Sequence, residues 1–134
     1  MKIIICDSND NIMDTMKSYT DLEQSKKLAE ILPLESADMY WWSSGKRYYI
    51  EAMDDGDFNE REGHVRAWSL AALLDILNKT AYFMDEDASV NLSSYKTIEW
   101  DLGIDNSDLE LVTESNPVDA CYEMIIKLHE LNLL

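Results

Sequence analysis

An α+β fold, with three helices packed on one face of a small mixed or antiparallel sheet, follows from three features of this 134-residue sequence. Asn116 to Leu131 carries a complete helix signature, with an apolar face at helical spacing. Two further helical patterns begin at Thr20 and Ser69, each behind a residue suited to capping. Two aromatic runs, Met39–Trp42 and Arg47–Met53, flank Ser43-Ser44-Gly45 and read as a hairpin. The resulting order of strand, helix, hairpin, helix, strands and helix favours α+β over a doubly wound parallel sheet. A chain of this length fits a single domain spanning 1–134 and can bury roughly two-thirds of the surface it exposes when unfolded.

Taken in order, Lys2–Cys6 is a short apolar run that reads as a buried strand, and Asp7-Ser8-Asn9-Asp10-Asn11 as a polar turn. Asp7, Asn9 and Asn11 have the spacing of calcium-loop ligands. Ile12 stands where that loop needs glycine and Ser18 where it needs glutamate, so a plain turn is the better reading. A phosphoacceptor domain is also excluded, for want of a second acidic neighbour and a later Lys-Pro.

Thr20-Asp21-Leu22-Glu23 reads as a capping box with Thr20 as N-cap and Glu23 closing it. Leu22, Ser25, Leu28, Ala29 and Leu32 form the inner face of the helix that follows, and Pro33 ends it. In the hairpin, alternation divides the rings between two faces, so some of Trp41, Trp42, Tyr48 and Tyr49 turn to solvent. Those four are the candidate binding residues, because exposed Trp and Tyr are what a recognition surface uses. The competing reading is that a helix covers one face and the remaining rings are cross-strand pairs.

Asp54 to Arg66 reads as a solvated loop or an irregular hairpin tip. Asp54, Asp55 and Asp57 are suitable ligands for a hard cation, and His64 beside Glu62 is the one residue to nominate as a general base. The set matches no metal-binding motif, and His64 has no second His or Cys at zinc spacing. Ser69 caps a helix from Leu70 to about Asn78, with Leu70, Leu73, Leu74 and Leu77 on one side. Thr80–Met84, Tyr95–Trp100 and Leu109–Thr113 read as strands. Asn116 caps the last helix with Pro117 at its first position, where the missing N–H costs nothing. Val118, Cys121, Ile125 and Leu128 form its core face, with Met124 and Leu131 beside them.

Charge is the strongest compositional signal, with 27 acidic residues against 11 basic and a formal net of −16. Phosphate affinity comes from clustered Lys and Arg, so direct nucleic-acid binding is not expected. Such acidity serves solubility, and it also suits a protein that imitates nucleic acid in a basic site on another protein. The N-terminal apolar run is too short for a signal peptide or a membrane span, which gives a cytoplasmic expectation and makes the two glycosylation-type triplets chance matches. Cys6 and Cys121 read as reduced thiols rather than a disulfide. No phosphate-loop, dinucleotide, serine-elbow, HExxH or CxxC motif occurs, so no cofactor is expected and nothing argues for an enzyme.

Three blocks, Glu23–Met39, Trp68–Leu74 and Asn116–Leu134, resemble small uncharacterised proteins carried by phages, prophages and other mobile elements of gut Bacteroidetes. They span about a third of the chain. The family has no established activity, so the resemblance transfers no catalytic or binding residue and implies only a bacterial, mobile-DNA setting.

Three functional readings follow. The first is a non-enzymatic accessory protein that binds a protein partner through an acidic, aromatic-rich surface, in its sharpest form a nucleic-acid-mimicking inhibitor of host defence. The second is a small metal-dependent hydrolase or nuclease using Asp54–Asp57 and His64. The third is a homo-oligomer with the aromatic hairpin as its interface.

Overall fold

The computed structural model describes residues 4–6, 17–53, 64–84, 89–94, 97–101, 110–113 and 116–134. The chain is α+β, and its backbone contacts gather into two compact units, Met1–Ser69 and Leu70–Leu134. Strands fall into a four-stranded and a three-stranded sheet, one in each unit.

In the first unit, β1 (Ile4–Cys6), β2 (Met39–Ser44), β3 (Arg47–Ala52) and β4 (Val65–Ala67) form a mixed sheet in the order β1-β3-β2-β4. β1 runs parallel to β3, while β2 is antiparallel to both its neighbours. The β2–β3 hairpin closes over Gly45 and Lys46, with Gly45 at φ +66°. Positive φ at the first of two loop residues suits the right-handed twist of the strands, and glycine adopts it without steric cost. β4 falls at the end of the stretch expected to be a loop or an irregular hairpin tip. Three residues are too few for a periodic signal, and their strand geometry comes from pairing with Met39, Tyr40 and Trp41.

α1 (Leu22–Ala29) does begin with a capping box, but one residue later than the sequence suggests. Asp21 accepts from the Gln24 backbone N–H at 2.8 Å, and Gln24 Oε1 accepts from the Asp21 N–H at 3.2 Å. Thr20 is engaged elsewhere. It is fully buried, its N–H donates to the Trp68 carbonyl at 2.9 Å, and its Oγ1 accepts from the Trp68 N–H at 3.1 Å. The Thr20 and Ser25 hydroxyl oxygens lie 2.7 Å apart, and Trp41 Nε1 donates to the Thr20 carbonyl at 3.1 Å. A buried hydroxyl already satisfied by tertiary partners is not available for a helix terminus. A short 3-10 turn at Leu34–Ser36 follows α1, beyond Pro33.

The second unit opens with α2 (Leu70–Met84), which absorbs the strand expected over Thr80–Met84. Its apolar residues hold helical phase past Asn78, for Leu73, Leu77 and Ala81 are all buried. The polar residues between them bond back along the helix. Asn78 Nδ2 donates to the Leu74 carbonyl at 2.9 Å, Thr80 Oγ1 to the Ile76 carbonyl at 2.8 Å, and Lys79 pairs with Asp75 at 2.8 Å. Spacing therefore outweighs the β propensity of Thr80, Tyr82 and Phe83.

β5 (Ser89–Ser94), β6 (Thr97–Asp101) and β7 (Glu110–Thr113) make an antiparallel meander, with a register shift between Leu92 and Ser94. β5 is a strand that the sequence does not announce. α3 (Pro117–Glu130) starts as expected: Asn116 Oδ1 accepts from the Asp119 N–H at 2.9 Å, with Pro117 in the first turn. It ends in a Schellman motif on Asn132, at φ 58°, with the Leu133 N–H bonded to the Leu128 carbonyl and the Asn132 N–H to that of His129. α2 lies beside α3 and β5, and α3 beside β6 and β7. Val118, Cys121, Met124, Ile125 and Leu128 are buried, as the helical spacing predicts, whereas Leu131, expected beside them, is the C-cap and is exposed. Among the described residues no helix is long and apolar enough to cross a membrane.

Candidate functional site

The β2–β3 ribbon puts its side chains on two faces, and cross-strand register decides which rings share a face. Trp41 is opposite Ile50, Ser43 opposite Tyr48, and Met39 opposite Ala52. This face looks onto a core of Tyr19, Leu22, Trp41, Ile50 and Ala67, with Met39, Tyr48 and Val65 packed against it. Trp41 is 0% exposed and meets the Tyr19 ring edge-on at 5.7 Å and 78°. The same burial pushes the Tyr19 phenol pKa upward.

Two of the four expected surface residues therefore lie on the core side. Trp41 is a core tryptophan, and its wholly enclosed ring presents no contact area to a partner. Tyr48 is half-buried against the same cluster.

On the opposite face Trp42 stands across from Tyr49, their rings stacked at a centroid distance of 4.5 Å and an interplanar angle of 18°. Both are half-buried. Tyr40, next on this face along β2, donates its hydroxyl to Glu51 Oε2 at 2.7 Å. The His64 ring stacks on the Tyr40 ring at 5.5 Å and 21°. Arg66, opposite Tyr40 on β4, donates through Nη1 to the Leu34 carbonyl at 2.9 Å. At the other end of the face come Ser44 and Arg47, then the turn residues Gly45 and Lys46, all exposed.

Comparison with models of protein families, with curated proteins and with solved structures gives no match. The site is thus read from its own geometry.

That geometry is a row of paired rings with Glu51 and Arg66 at one end and the two tip cations, Lys46 and Arg47, at the other. Such a surface suits contact: flat rings offer large area at low conformational cost, and the flanking charges give orientation. The indole nitrogen of Trp42 is buried and has no hydrogen-bond partner among the described residues, whereas that of Trp41 is satisfied by Thr20.

Asp54, Asp55 and Asp57 lie outside the described residues, as does the Asp7–Asn11 turn. His64 is described, and its ring is occupied in the stack with Tyr40. Among the described residues no group of three or more His, Cys, Asp or Glu side chains is placed to hold a metal ion. Cys121 is buried in the second unit, where loss of hydration pushes its thiol pKa up to about 12. The reactive thiolate is then scarce at neutral pH. His129 is exposed, with Nδ1 3.0 Å from the Leu134 carbonyl.

Sequence reasoning missed Tyr40 and the Lys46-Arg47 tip, and it nominated His64 as a general base, not as a ring stacked on Tyr40. A signal for the outward face does exist in β3, where the polar residues Arg47 and Glu51 bracket Tyr49 at a spacing of two. Register then assigns Trp42, the partner of Tyr49, to that face as well.

Proposed function

We propose that the chain is a non-enzymatic accessory protein of phage or mobile-element type that binds a protein partner through the outward face of the β2–β3 ribbon. The observation that carries this reading is the parallel Trp42–Tyr49 stack, half-exposed on the side of the sheet away from its core. Half-buried Trp and Tyr whose neighbours already hold them in place lose little entropy on being covered, so they are effective anchors. The mobile-DNA setting rests on the resemblance of the three sequence blocks alone. Mimicry of nucleic acid remains the sharper form of the proposal, supported by the net charge of −16. It assigns the mimicking role to acidic segments outside residues 39–52, which hold one carboxylate, Glu51.

Affinity capture from lysate of gut Bacteroidetes cells tests the proposal, with the parent chain compared against a Trp42→Ala/Tyr49→Ala double variant. Capture by the parent that disappears in the variant supports the ribbon as the contact. Equal capture by both refutes it. Repeating the capture at high salt separates a ring-dominated contact, which persists, from a charge-driven one, which dissociates.

A further inference from the structure

The ribbon carries charge of the opposite sign from the chain as a whole. Residues 39–52 contain Lys46, Arg47 and a single carboxylate, Glu51, in a chain of net charge −16. Lys17, Lys27 and Lys79 each pair with a carboxylate, at 3.0, 3.8 and 2.8 Å. Lys46 and Arg47 are exposed at the hairpin tip and form no ion pair among the described residues. Arg47 shares the outward face with Tyr49, two residues on, and so borders the ring stack directly. Glu51 lies four residues from Arg47 along β3, roughly 13 Å away at strand rise. One of its oxygens is already engaged by the Tyr40 hydroxyl.

Taking the ribbon as the partner-binding element, we infer that its tip and ring stack receive an acidic segment of the partner protein. Partner carboxylates meet Lys46 and Arg47, and an apolar or aromatic side chain beside them covers Trp42 and Tyr49. Arginine suits this because its planar fork binds a carboxylate through two parallel hydrogen bonds. The negative charge elsewhere on the chain does not forbid the contact, since salt at physiological strength screens exposed charges beyond about 8 Å. A nucleic acid would bring the same negative sign. Two cations are few for a phosphate backbone, whose affinity grows with the number of phosphates neutralised, and an oligonucleotide offers no apolar side chain to cover the rings. An acidic peptide segment is therefore favoured over an oligonucleotide.

The test is a titration of the full ¹⁵N-labelled chain with a random Glu/Tyr copolymer, following the Trp42 indole and Gly45 amide signals by NMR. The expected result is a shift of both signals, with the apparent Kd raised at least tenfold in a Lys46→Glu/Arg47→Glu variant. A ten-residue oligothymidylate should leave both signals in place. The inference is overturned by no shift in the parent, by a shift that survives charge reversal, or by an equal response to the oligothymidylate. The substituted side chains are exposed and bond to no described residue, and the dispersion of the remaining spectrum verifies that the variant folds. Lysate capture that depends on Trp42 and Tyr49 but is unchanged by the charge reversal would retain the ribbon as a binding element and refute the acidic partner.

Discussion

Trp41 and Trp42 are chain neighbours with the same side chain, yet the two faces of the ribbon treat them in opposite ways. Trp41 lies in the core, edge-on to Tyr19, with its indole N–H donated to the Thr20 carbonyl at 3.1 Å. Trp42 lies flat against Tyr49, half-exposed, with its indole N–H unpartnered among the described residues. On one face the apolar body of the ring is covered and its polar tip is satisfied. On the other neither condition is fully met. A ring of the first kind stabilises the fold, and one of the second kind leaves interaction capacity for something else.

The largest expected effect tests the first half of this contrast. Trp41→Ala removes a wholly buried indole and leaves a cavity among Tyr19, Leu22, Ile50 and Ala67, which costs about 3–5 kcal/mol for such truncations. Denaturant unfolding followed by far-UV circular dichroism should show the midpoint falling by a corresponding amount. Trp42→Ala should cost clearly less. Equal losses at both positions would erase the distinction between the faces.

Next in size is Thr20→Val, which keeps the shape of the side chain and removes its hydroxyl. The Trp68 N–H then loses its acceptor and Ser25 loses a partner inside the core, at a cost of about 1–3 kcal/mol. Thr20→Ser retains the hydroxyl and should lose less, by the same unfolding measurement. If the two variants lose equally, packing of the methyl group matters at this position and the hydrogen bonds do not.

Thr20 also shows where the sequence stops being informative. Its place two residues before Leu22 gives a legitimate capping pattern, and Asp21 gives another one residue later; local chemistry alone does not choose between them. The choice comes from Trp68, a tertiary partner 48 positions away. The same limit applies to the ribbon. Tyr40, Trp41 and Trp42 are consecutive rings and the two polar residues of β2, Ser43 and Ser44, are adjacent and so fall on both faces; the phase of its alternation comes from β3 through register. The start of α3 was legible because Asn116 and Pro117 act within one turn, and its core face because Val118, Cys121, Ile125 and Leu128 repeat at helical spacing. α2 was legible in its first half and misread in its second, where Thr80, Tyr82 and Phe83 favour strand in isolation but Ala81 continues the helical phase of Leu73 and Leu77.

A third, smaller effect concerns the turn that sets the register of the faces. Gly45 has φ +66°, with no heavy atom within 4 Å of where a Cβ would stand, so Gly45→Ala meets backbone strain without any steric clash. The expected loss is about 1–2 kcal/mol. If the register holds, the close contacts between Trp42 and Tyr49 persist in a nuclear Overhauser spectrum while stability falls. Loss of those contacts would mean that the turn, and not the pairing of Trp41 with Ile50, fixes which rings face outward.

The smallest expected change is the most specific. Phe in place of Trp42 keeps a ring to stack on Tyr49 and deletes an indole N–H that is buried without a partner among the described residues. A buried donor left unpaired costs about 1–3 kcal/mol, so its removal offsets the apolar area that the smaller ring gives up. Stability should therefore change by less than about 0.5 kcal/mol, or rise. The same substitution at Trp41 removes a donor that does have an acceptor and opens space in a closed core, so a loss of about 1–3 kcal/mol is expected there. The two variants differ by one position in the chain and are identical in chemistry, which makes the difference between their unfolding free energies a direct measure of what separates the faces. A loss at Trp42 as large as that at Trp41 would mean that its indole N–H is satisfied in solution, and the outward face would then be as fully committed to the fold as the inward one.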